Sequence, residues 1–135
     1  MGTHINMTTN ASYNFKAPNI AADADKKIEV TFPTAEALTP TVGATTAVTI
    51  NRQVTCINLG ELGAATTVNL TIASHVQTGA IIHVTAKSDA TARTVTFGTG
   101  FTSPTLAGTI SKTKVRSFIY NGLTFLPLGT ELQID

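Results

Sequence analysis

The feature that most constrains this chain is the run Tyr120-Asn121-Gly122-Leu123-Thr124-Phe125. Asn-Gly between two apolar, β-prone stretches is a strong hairpin signal. A two-residue type I′ loop needs positive φ at both central residues, and Asn and Gly tolerate that best. The run predicts paired strands around a type I′ turn at Asn121-Gly122, and hence a β core rather than a helical scaffold. Further strands are predicted at 28–32, 47–51, 54–59, 66–73, 80–86, 93–97, 114–120 and 123–128. Turn residues separate them, among them Pro33, Pro40, Gly43, Gly60, Gly63, Gly79, Gly98 and Gly100. Short strands at this spacing predict an all-β fold, a small antiparallel β-sandwich of jelly-roll-like type over residues 27–135.

The cleanest alternation is Thr67-Val68-Asn69-Leu70-Thr71-Ile72, which puts Val68, Leu70 and Ile72 on one face as core. Two strands do not alternate cleanly. Ala80-Ile81-Ile82-His83-Val84 carries isoleucine on both faces, and Ser117-Phe118-Ile119-Tyr120 carries apolar bulk on both. A strand buried on both sides lies between layers or at a subunit contact, and a chain of 135 residues has no third layer to offer. A homo-oligomer is therefore expected, with Ile81, His83, Phe118, Tyr120 and Arg116 as interface candidates.

Charged residues make up only 13% of the chain, well below the roughly 25% usual in soluble domains. Threonine takes their place at about one residue in five. This β-branched residue is stiff at χ1 and fits a strand. A surface solvated by hydroxyls resists self-association weakly, which again favours an oligomer. The net charge of +1, without a basic cluster, argues against nucleic acid as a partner. No apolar run approaches a membrane span, and no apolar leader is visible. A single cysteine, Cys56, is compatible with folding in a reducing cytoplasm.

Residues 1–26 are polar, rich in Asn, Ala and Thr, and without sustained period. They read either as a solvated terminus or as an extended N-terminal arm. Tyr13, Phe15 and Ile20 are apolar handles that a purely solvated tail would not need, and they become the candidates for arm docking.

No catalytic or metal constellation is visible, and no cofactor is expected. His4, His75 and His83 lack metal-ligand spacing. His83 lies mid-strand and points away from the face of Ile82 and Val84. Cys56 reads as a small core filler. The carboxylates are scattered, with no pair placed to flank a glycosidic bond.

The block from Val68 to Leu126 resembles a domain found in tailed-phage virion proteins. Its pieces are the alternating strand Thr67 to Ile72, the Gly79-led strand to Val84, and Ala92-Arg93-Thr94-Val95-Thr96-Phe97. The Thr99 to Leu106 loop and the closing Phe118-Ile119-Tyr120-Asn121-Gly122-Leu123-Thr124-Phe125 complete it. Phe97 and Phe125 stand where the family pattern carries Trp. The resemblance covers about half of the chain. It implies a small, often trimeric β-sandwich of head fibres, capsid-decorating proteins or tail fibres, whose N-terminal segment mounts it on the particle. It makes the chain a non-enzymatic virion protein, folded in the host cytoplasm, with a phage capsid or tail protein as partner. The alternative is a carbohydrate- or receptor-binding module of a tail fibre.

Overall fold

The computed structural model describes residues 34–102 and 105–135. Among these residues there is no helix; ten strands form two packed sheets. Sheet A runs in the order β1 (Ala35–Leu38), β3 (Val54–Leu62), β5 (Ile81–Ser88), β8 (Thr113–Tyr120) and β10 (Leu132–Gln133), with β9 (Phe125–Pro127) also paired to β8. Sheet B runs β2 (Thr45–Ile50), β4 (Thr66–Ile72), β6 (Thr94–Phe97), β7 (Thr105–Ala107).

The all-β sandwich expected from the alternation is present, and the expected antiparallel, jelly-roll-like pairing is met only in part: four ladders are antiparallel and four parallel. The chain crosses to the other sheet after every strand from β1 to β5. Each strand then lies parallel to the one two earlier, as in Val54↔Ile81 on sheet A and Thr45↔Thr67 on sheet B. The result is three coils of a flattened solenoid. Only at the end does the chain turn back, with β7 antiparallel to β6 and β8 antiparallel to β5. The reason lies in the short links. Residues 51–53 and 63–65 have hairpin length, yet three extended residues also reach about 10 Å, the distance between packed sheets. These turns are corners between sheets rather than returns along one.

The closing hairpin does form, shifted by one residue. Asn121 N donates to the Thr124 carbonyl at 3.1 Å, so the two central residues are Gly122 and Leu123. Gly122 has φ +97°, while neither Asn121 nor Leu123 has positive φ. Glycine alone carries the positive φ here, in place of the two positive φ values that the expected type I′ turn requires. Asn121 instead braces the turn through its side chain, whose Oδ1 accepts the N–H groups of Leu123 and Thr124 at 2.9 and 2.8 Å.

The core lies between the sheets. Ile57, Ile82, Val84 and Phe118 from sheet A meet Ile50, Val68, Val95 and Leu106 from sheet B, all essentially without solvent contact. Val68 and Leu70 are core as expected, and Ile72 is half-buried. Phe97, Phe101 and Phe118 form a three-ring cluster with centroids 4.7–4.8 Å apart. Each such contact adds about 0.5–1.5 kcal/mol beyond area burial. A bulge between Asn58 and Glu61 shifts the phase of β3, so that Ile57 and Leu59 point inward before it and Leu62 after it. The expected arm at 1–26, with Tyr13, Phe15 and Ile20, and the expected strand at 28–32 lie outside the described residues.

Candidate functional site

Strand alternation gives this sandwich two outer faces of different chemistry. On sheet B the outward row is Thr45, Thr67, Thr96 and Thr105, neighbours across four strands. Asn69, Thr71 and Thr49 continue that face. On sheet A the corresponding row is Ala35, Val54, Ile81, Ile119 and Leu126, apolar from one edge to the other. A second row joins Asn58, Thr85, Val115 and Leu132. Val54 is 40% exposed and Leu132 61%. Parallel strands are ordinarily covered on both faces, and β5 has the composition for it: Ile82 and Val84 face the core while Ile81 faces outward, half-buried.

Between these rows lies the most chemically varied part of the face. Ala37, Cys56, His83 and Ser117 are direct neighbours across β1, β3, β5 and β8. His83 Nδ1 and Ser117 Oγ are hydrogen bonded at 2.6 Å, across the antiparallel β5–β8 pair. Cys56 is half-buried on the outer face beside His83, while its neighbours Thr55 and Ile57 are the buried ones. The reading of Cys56 as a core filler is thereby corrected: the bulk at Ile57 takes the inward position. Cysteine, histidine and serine side by side can in principle do nucleophilic chemistry. Here the row crosses the middle of a sheet whose backbone N–H groups are committed to strand pairing. No donor pair is free to stabilise an oxyanion.

The interface candidates divide by parity. Ile81 and His83 lie on the outer face of sheet A. Phe118, Tyr120 and Arg116 lie on the inner one. Phe118 is fully buried in the aromatic cluster, and Tyr120 stacks on Phe125 with centroids 4.9 Å apart. Arg116 reaches past β7, its Nη1 donating to the Thr105 carbonyl at 2.9 Å. Apolar bulk on both faces of this strand left its inward parity undecided in the sequence. The outer positions of β8 are Val115, Ser117 and Ile119, which sequence reasoning missed. Their signal was their pairing with Ile81 and His83, visible only once register is known.

The Asp89–Arg93 pair is structural. Arg93 Nε and Nη2 donate to the two oxygens of Asp89 at 2.9 and 2.7 Å, a bidentate fork that closes the turn before β6. This hydrogen bond, followed by one from Thr91 N–H, holds the Asp89 carboxyl below its ordinary range. Among the described residues no group of three or more His, Cys, Asp and Glu side chains could hold a metal ion. A depression of ≈ 330 Å³ beneath β2 is lined by Leu38, Thr39, Pro40, Ala47, Val48, Thr49 and Asn51, none of them titratable. Among the described residues the rings of Phe97, Phe101, Phe118 and Phe125 are buried, and Tyr120 is half-buried against Phe125. No helix among the described residues is long and apolar enough to cross a membrane. No family model, curated protein or solved structure matches this chain.

Proposed function

We propose that this chain is a non-enzymatic structural protein of a tailed-phage particle, a capsid-decorating or head-fibre protein that assembles as a trimer. The observation that carries the assembly part is the contrast between the two outer faces, hydroxyl-lined on sheet B and apolar on sheet A. A water-facing surface suits the first, and a protein-facing one the second. The phage part rests on the resemblance of the block from Val68 to Leu126, in which Phe97 and Phe125 are both buried anchors of the core.

In this reading the domain works mechanically. The Thr-lined face of sheet B meets solvent, and residues 1–26 mount the domain on the particle. Static light scattering at micromolar concentration tests the assembly: three times the chain mass of 14.1 kDa is expected, and a monodisperse monomer overturns it. Immunogold labelling of purified particles of the source virus tests the location. Gold on the head is expected, and unlabelled particles overturn the virion reading.

A further inference from the structure

We propose that the outer face of sheet A, with Cys56 near its centre, is the surface that a second copy of this chain covers. The inference deepens the assembly reading above and rests on it. Size is the first argument. β3, β5 and β8 carry four outward rows at about 6.7 Å, and the shorter β1, β9 and β10 flank them at about 4.8 Å spacing, a face of about 500 Å² in projection. Its corrugated surface approaches the roughly 800 Å² per partner of a stable interface.

Chemistry chooses the occupant. The row from Ala35 to Leu126 is apolar throughout. The polar groups next to it are in large part held within the same chain: His83 Nδ1 by Ser117 at 2.6 Å, and Lys87 by Glu61 at 3.1 Å at the far end of the face. A partner needs mainly a matching apolar surface, with a polar group of its own only opposite the other ring nitrogen of His83. Further copies carry that surface by construction, and in a trimer the three sheet A faces converge on the shared three-fold axis, each in heterologous contact with the next; interfaces between permanently associated copies are the most apolar class. A charged or glycan partner would leave its own polar groups unpaired against Val54, Ile81 and Ile119.

Cys56 is a native reporter of the contact. The test follows the full-length chain by light scattering together with the rate of Cys56 alkylation. The wild-type protein is expected to be an oligomer whose thiol reacts about tenfold or more slowly than in urea. Ile81→Lys and the milder Val54→Lys, each checked for native circular dichroism, are expected to give monomers with a fast-reacting thiol. Thr96→Lys, on the opposite face, is expected to leave the oligomer intact. An oligomer that survives both Ile81→Lys and Val54→Lys overturns this face while leaving the assembly reading standing. A wild-type monomer with a reactive thiol overturns both. A monomer with a protected thiol means that the chain covers the face itself, which also overturns the proposal.

Discussion

Lys114 Nζ lies 3.0 Å from Glu131 Oε1, and between them the two side chains hold both backbone groups of Ala107. Lys114 Nζ donates to the Ala107 carbonyl at 2.8 Å, and Glu131 Oε2 accepts the Ala107 N–H at 3.0 Å. Ala107 belongs to β7, the last strand of sheet B, and Arg116 adds a bond to the Thr105 carbonyl of the same strand. An uncovered edge is a template for pairing with another chain. Here inward-pointing cations from sheet A and one carboxylate close it without adding a strand.

Removing one member of this clamp is predicted to open that edge. Lys114→Met keeps the aliphatic stem but leaves the Ala107 carbonyl and the Glu131 carboxylate without their donor. Lys114 and Glu131 are 14% and 25% exposed, enough burial for the loss to reach about 1–3 kcal/mol in urea unfolding. Slow growth of light scattering on storage is expected as well. A variant with unchanged midpoint and no aggregation shows that β7 needs no cover.

Stability is predicted to fall in acid through three carboxylates. Asp89 is held low by Arg93, and Asp135 by the Thr113 N–H at 2.6 Å. For Glu131, burial pushes the carboxyl up, but the Lys114 ammonium and the Ala107 N–H outweigh it and the net shift is downward. A folded-state pKa below the unfolded one stabilises fully above the unfolded value, and that contribution is lost as pH falls through the folded one. The ordinary values are 3.8 for the two aspartates and 4.5 for Glu131. The urea midpoint is therefore expected to hold level above about pH 5 and to drop below about pH 4. Asp89→Asn should shallow the drop. A midpoint level down to about pH 2.5 contradicts the assignment.

Alternation was legible and pairing direction was not, for a physical reason. Val68, Leu70 and Ile72 read as inward because period 2 follows from the strand alone, and that period is the same in parallel and antiparallel sheets. The β1 run Ala35-Glu36-Ala37-Leu38 has no strand propensity; its pairing with β3 makes it a strand. Cys56, His83 and Ser117 lie on three different strands and meet only through register, so no spacing rule could join them. The inward place of Lys114 and Arg116 on β8 was not legible either, because their bonds to β7 require the opposite sheet in place.

A closed ring of hydrogen bonds anchors the entry to β2. Thr66 Oγ1 donates to the Gly43 carbonyl at 2.6 Å, so the 2.8 Å contact between the two hydroxyls takes its proton from Thr46. Thr46 Oγ1 in turn accepts the Gly43 N–H at 3.3 Å. Both threonines are buried, at 1% and 3% exposure. Thr66→Val keeps the shape but leaves the buried Thr46 hydroxyl and the Gly43 carbonyl without their partner, a loss of about 1–3 kcal/mol. Thr66→Ser should retain most of the stability. Adding Thr46→Val to Thr66→Val should cost less than the sum of the two single changes, because the second removes an already orphaned hydroxyl. Additive losses in urea unfolding contradict the ring.

Gly100 and Gly129 share a left-handed backbone but differ in surroundings, which separates strain from collision. Their φ values are +89° and +80°. A Cβ on Gly100 would lie 2.8 Å from the Leu70 Cβ, whereas one on Gly129 would meet nothing within 4 Å. Gly100 also sits where the loop after β6 is tied to both neighbours: Leu70 N donates to the Thr99 carbonyl, and Phe125 N to the Gly100 carbonyl, each at 2.8 Å. Gly129→Ala is predicted to cost about 1–2 kcal/mol, the backbone penalty alone. Gly100→Ala adds the overlap with Leu70 and is predicted to lose about 2–5 kcal/mol. It should also loosen the contact between Phe101 and Phe118, read as a weaker near-ultraviolet aromatic signal before global unfolding. Equal losses for the two variants would mean that the backbone at Gly100 can move away from Leu70, and that the loop is not the pin described.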